Sequence, residues 1–186
     1  MDVNCTLIEC KDRKDVSRTL FNLLILDAPS PSSLHTYIKA LQRRHVRHLV
    51  RVCGPTYDAS QLEKDGIDVH SWPFDDGAAP PRSVLENWFQ LLDKEKEKLL
   101  SGASTQPASI AIHCVAGLGR APILVALALV EYGGMEPLDA ITLVREKRRG
   151  AINQTQMQWL AKYKGRQCGA RGGVERWMHR HVTRVR

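Results

Sequence analysis

The chain has 186 residues, 43% of them hydrophobic and 25% charged, with a net charge of +7. That balance fits one globular domain with a sizeable core and excludes a fibrous or wholly disordered chain; no apolar run, ILVALALV included, is long enough to span a bilayer. Five cysteines at irregular spacing, none in a CxxC pair, exclude a disulfide scaffold and argue against structural zinc.

The chain opens MDVNCTLIEC, which lacks the apolar core of a signal peptide. A reducing, cytoplasmic setting is therefore expected, and residues 1–18 read as an N-terminal extension. FNLLIL, 21–26, is a short apolar run closed by the loop signal DAPSPSS. Ser32 or Ser33 can cap a helix over 34–44, with Leu34, Ile38 and Leu41 on one face. VRHLVRVC, 46–53, reads as a strand closed by GPTYD, and IDVHSW, 67–72, as another closed by PFDDGAAPP. Ser83 opens a helix to about residue 100, with Val84, Trp88, Leu91 and Leu92 inward. SIAIHC, 109–114, is a buried strand. Helices follow over 120–132, 137–149 and 154–164.

Strands alternating with helices imply one α/β domain with a mainly parallel twisted sheet flanked by helices, set over residues 19–166. From Lys162 onward eight basic residues face a single acid, Glu175, so this end carries +7 while the body sums to zero. Residues 167–186 read as a basic tail without packed structure. The pairs His45/His48 and His179/His181 read as solvated or packing histidines, and no metal or cofactor is expected.

HCVAGLGRAP, 113–122, carries the chemistry. Cys114 ends a strand, and ligands in open α/β sheets bind outside the carboxyl ends of strands. The turn Val115, Ala116, Gly117, Leu118, Gly119 then leads into a helix, with Pro122 near its first turn. Inward amides and the helix dipole would form an anion nest that binds phosphate oxygens and favours a Cys114 thiolate. Arg120 can grip two of those oxygens in a bidentate fork. The alternative is a strand-end core cysteine, which would have no use for two glycines and an arginine. Such a nucleophile needs an acid for the leaving oxygen. WPFDDG leaves the same sheet edge, and Asp76, beside Gly77, is the choice for general acid, with Asp75 its rival. Cys53 also ends a strand and should emerge near Cys114, although that position suits a buried structural cysteine equally well.

These stretches, with LVRVC, TYD and EKRRGAIN, closely resemble the phosphatases of regenerating liver, small dual-specificity members of the cysteine-based protein tyrosine phosphatases. The resemblance covers about residues 21–166. It implies their fold, hydrolysis of phosphoprotein monoesters through a cysteinyl-phosphate, and no metal. It makes Cys114 the nucleophile, Arg120 the phosphate-binding arginine, Asp76 the general acid, and Cys53 the redox disulfide partner of Cys114. Ala121 stands where many related phosphatases have a serine or threonine, and alanine has no hydroxyl to help the thiol leave. Low turnover is expected.

The implied substrate is a phosphotyrosine-containing protein, with phosphoinositides or an anionic membrane surface as further partners through the basic tail. The resemblance also names CBS-domain magnesium-transport mediators, which would dock on the cradle with little need for catalysis. Nucleic acid is not expected. Family members typically end in a prenylation box. This sequence ends HVTRVR with its last cysteine at Cys168, and no box is read in it.

Overall fold

A computed structural model describes residues 3–166. In chain order they form β1 (Cys5–Asp12), β2 (Asp15–Leu26), α1 (Leu34–Arg43), β3 (Val46–Arg51), α2 (Ser60–Lys64), β4 (Asp68–Ser71), α3 (Arg82–Leu100), β5 (Ala108–His113), α4 (Arg120–Glu131), α5 (Pro137–Lys147) and α6 (Gln154–Ala161). One sheet runs β1-β2-β5-β3-β4. β1 meets β2 antiparallel, and the other three pairings are parallel, so the sheet is mixed.

The central strands are buried on both faces, as parallel strands between helical layers must be. In β2, Leu24 and Leu26 face the layer of α1 and α2, with Leu34, Tyr37, Leu41 and Leu62. Leu23 and Ile25 face the other way, toward Trp88 and Leu92 of α3 and Leu124 and Leu127 of α4. In β5, Ala111 serves the first layer while Ile110 and Ile112 serve the second. α4 is apolar almost all round and sits at the centre of the larger core, as such a helix must.

Some boundaries differ from the expectation. The domain edge set at residue 19 falls inside β2, and β1 with the start of β2 belongs to the sheet. β1 buries Ile8, Cys10 and Asp12 at every second position, which is the strand period. Ser33 does take the N-cap of α1, but its side chain makes no cap bond. Its Oγ accepts from Ser30 N at 2.9 Å instead. α3 is preceded by Pro81 rather than opened by Ser83. Residues 60–64, unassigned between the two expected strands, form a helical turn. α6 ends at Ala161, three residues early. The basic tail, with Cys168 and the pair His179/His181, lies outside the described residues.

Candidate active site

β5 is the middle strand, and it stops at His113. Cys114 is therefore delivered to the centre of the carboxyl edge of the sheet, where it is buried. Residues 115–119 turn above it, and α4 begins at Arg120.

The loop is gripped from outside by its carbonyls. Cys114 O accepts from His113 Nδ1 at 3.0 Å, Val115 O from Ala28 N at 2.8 Å, and Ala116 O from Arg148 Nη2 at 3.1 Å. Gly117 O accepts from Arg148 Nε at 2.7 Å, Leu118 O from Ile152 N at 2.7 Å, and Gly119 O from Ile123 N at 3.2 Å. Every carbonyl from Cys114 to Gly119 is thus occupied. The N–H groups of residues 115–119 have no acceptor among the described residues. A row of free amides beside a helix N-terminus is a ready-made anion cradle. Gly117 is required here, with φ +66°, and an added Cβ would lie 2.4 Å from Leu26 O.

Arg148 was missed as a site residue. It is buried, and Nη1 also donates to Thr6 Oγ1 at 3.1 Å, so β1 braces it from behind. It has no carboxylate partner among the described residues. Arg51 is likewise buried without one, donating to Ser71 Oγ and Tyr57 O and lying 5.1 Å from the Tyr57 ring centre. Together they leave uncompensated positive charge at this edge, which favours an anionic ligand.

Arg120 donates from Nη1 to Phe74 O at 3.0 Å, and its Nε lies 3.2 Å from Asp76 Oδ1. That Nε–H is buried but not aligned on an acceptor. Of the two candidate acids, Asp76 reaches the arginine. The Asp75 carboxylate is exposed and has no ion-pair partner among the described residues. Asp76 is itself largely exposed, with Oδ1 accepting from Gly77 N at 3.1 Å.

Cys53 lies two residues beyond Arg51, the register partner of His113, so the two cysteines emerge from adjacent strands. Both thiols are free. Burial pushes the Cys53 thiol up, Arg120 opposes that rise, and the Cys114 charge adds to it. Cys53 Sγ is 4.0 Å from His113 Nδ1. His113 is fully buried. Since Cys114 O can only accept, Nδ1 carries the proton and Nε2 accepts from Tyr57 O–H at 2.7 Å. Burial lowers the His113 pKa to about 4, which keeps the ring neutral.

Ala121 is fully buried behind Arg120. No cluster of three or more His, Cys, Asp or Glu suited to a metal occurs among the described residues. None of the described helices is long and apolar enough to cross a membrane.

The dual specificity phosphatase catalytic domain matches residues 33–166. Over 170 residues the chain is 66% identical to protein tyrosine phosphatase PRL-1 of Leishmania major, covering 91% of this chain and 97% of that one. It is 48% identical to protein tyrosine phosphatase type IVA 3 of Homo sapiens over 153 residues, covering 82% and 84%. A solved protein tyrosine phosphatase from Leishmania major superposes with a TM-score of 0.82 at 67% identity, covering 87% of this chain and 99% of that one.

Proposed function

The chain belongs to the dual specificity phosphatases, among the protein tyrosine phosphatases of the PRL and type IVA kind, and on that footing we propose that Cys114, Arg120 and Asp76 carry its phosphatase chemistry. The observation that supports this best is the loop whose six carbonyls are tied outward while five amides stay free.

A phosphate monoester seats its non-bridging oxygens on those amides and on the Arg120 fork. The Cys114 thiolate attacks phosphorus, so an S–P bond forms as the ester P–O bond breaks. Asp76 gives its proton to the departing oxygen. A water oxygen then attacks the phosphocysteine, its proton passes to the Asp76 carboxylate, and the S–P bond breaks to release phosphate and the thiolate. Ala121 offers no hydroxyl to the departing sulfur, so this second step is the slow one. The preferred substrate is a phosphotyrosyl protein, with phosphoserine and phosphothreonine also accepted.

Cys53 forms a reversible disulfide with Cys114 when the enzyme is oxidised, guarding the nucleophile from further oxidation. The basic residues beginning at Lys162 supply a weak attraction to anionic lipid. Docking of CBS-domain magnesium-transport mediators, implied by the resemblance, would use the same cradle. Asp76→Ala separates the two uses, because docking should survive while hydrolysis falls. For the chemistry itself, Cys114→Ser and Arg120→Lys should each abolish turnover of an aryl phosphate. If Cys114→Ser retained it, the assignment would fail.

A further inference from the structure

Asn153 precedes α6, and Gln156 sits in its first turn. Their oxygens close a capping box: Asn153 Oδ1 accepts from Gln156 N at 2.8 Å, and Gln156 Oε1 accepts from Asn153 N at 3.2 Å. Capping needs only acceptors, and a serine with a glutamate would do it equally well. Two amides bring something more, because each keeps an NH2 group after its oxygen is used. Both groups point at the loop that carries Asp76. Asn153 Nδ2 donates to Gly77 O at 3.0 Å, and Gln156 Nε2 donates to Ala78 O at 3.0 Å. Gln156 is fully buried, so the donor side of its contact is shielded from water although Ala78 is half-buried.

The three segments meet at one point. A Cβ built on Gly119 would lie 3.4 Å from Gln156 Nε2 and 3.8 Å from Asp76 Oδ1. Gly77 has φ +74°, and a Cβ there would come within 3.1 Å of Asn153 Nδ2. Arg120 also holds this loop, through Phe74 O and Asp76. A bound phosphate competes for that arginine, whereas the contacts from α6 do not depend on it.

We propose that Asn153 and Gln156 form a latch that holds the Asp76 loop over the phosphate cradle, making both of them positioning residues for proton transfer. The proposal rests on Asp76 being the general acid. Once substrate draws the Arg120 fork away, the amide pair is what keeps the carboxyl over the leaving oxygen. A general acid matters most when the leaving group is a poor one. Loosening the latch should therefore slow poor leaving groups and spare good ones.

Asn153→Ser retains a good N-cap but loses the donor arm. Asn153→Asp retains a stronger acceptor and also loses the donor, which covers the case in which the serine variant folds poorly. Two readouts are needed, with Asp76→Asn in parallel. Hydrogen exchange of the backbone over residues 73–79 should rise in both Asn153 variants. The burst rate with unsubstituted phenyl phosphate should fall about tenfold, while that with a highly acidic phenol changes less than about twofold. The double variant Asn153→Ser with Asp76→Asn should be no slower than Asp76→Asn alone. Unchanged exchange, or an equal loss across all leaving groups, would overturn the latch. An Asp76→Asn variant without leaving-group dependence would instead overturn the acid assignment, and the exchange data would still report whether the loop is latched.

Discussion

Arg148 Nε donates to the Gly117 carbonyl at 2.7 Å from the far side of the 115–119 loop, 31 residues along the chain. The same guanidinium holds Ala116 O and reaches back to Thr6 of β1. The curvature of the cradle therefore depends on a cation that does not face it. Arg148→Lys keeps the charge but cannot reproduce the fork. Losing charge-assisted bonds of this kind should cost roughly 3 kcal/mol of stability. It should also lower kcat/KM about tenfold or more, because misplaced amides no longer match the transition state. Thermal melts and steady-state rates check both. An unperturbed variant would show that the carbonyl contacts are incidental.

Ala121 is buried at the start of α4 without a hydroxyl. Ala121→Ser should raise steady-state turnover several-fold and leave the rate of phosphocysteine formation nearly unchanged. Rapid-quench kinetics on one aryl phosphate separates the two steps. Unchanged or slower turnover would count against the assigned slow step.

His113 gives a defined dependence of stability on pH. Burial takes its pKa from an ordinary 6.5 to about 4 in the folded state. The unfolded chain therefore binds the extra proton across that interval. The contribution is fully present above 6.5, is lost as pH falls from 6.5 toward 4, and is flat below that. From pH 7 to pH 5 the loss from this residue should be about 2 kcal/mol. Burial also lowers His48 and His70, which adds to the loss in the same direction. Denaturant unfolding at a series of pH values measures it, and His113→Asn should flatten the slope.

Cys53 and Cys114 leave neighbouring strands as free thiols. Mild peroxide should remove two hydrogens from the intact mass and abolish activity, both reversed by dithiothreitol. In Cys53→Ser the loss of two hydrogens should not occur, and inactivation should become irreversible as oxidation proceeds past the sulfenic acid. Reversible inactivation without Cys53 would assign protection to another group.

The parts legible in the sequence were those with a strong local signal. VRHLVRVC and SIAIHC are dense apolar runs bounded by turns; β3 falls within the first, and β5 starts one residue before the second and ends at its His113. Cys114, its glycines and Arg120 are contiguous, so their chemistry could be read together. β1 was passed over because Glu9, Lys11 and Asp12 dilute its alternation, although Ile8 and Cys10 keep the two-residue period. Arg148 could not be chosen over Arg149 from the sequence, since only the end of α5 decides which one turns inward. Asn153 and Gln156 do carry a visible capping spacing. Their contact with a loop 76 residues earlier is purely tertiary.

The most direct measurement is single-turnover burst kinetics with a labelled aryl phosphate under reducing conditions, followed by peptide mapping of the acid-quenched enzyme. The expected result is a rapid release of about one phenol per enzyme, a slow steady state, and a phosphoryl group on the peptide containing Cys114 that is absent from Cys114→Ser. A phosphoryl group mapped to another residue, or steady turnover by Cys114→Ser, would contradict the assignment of the nucleophile to this loop.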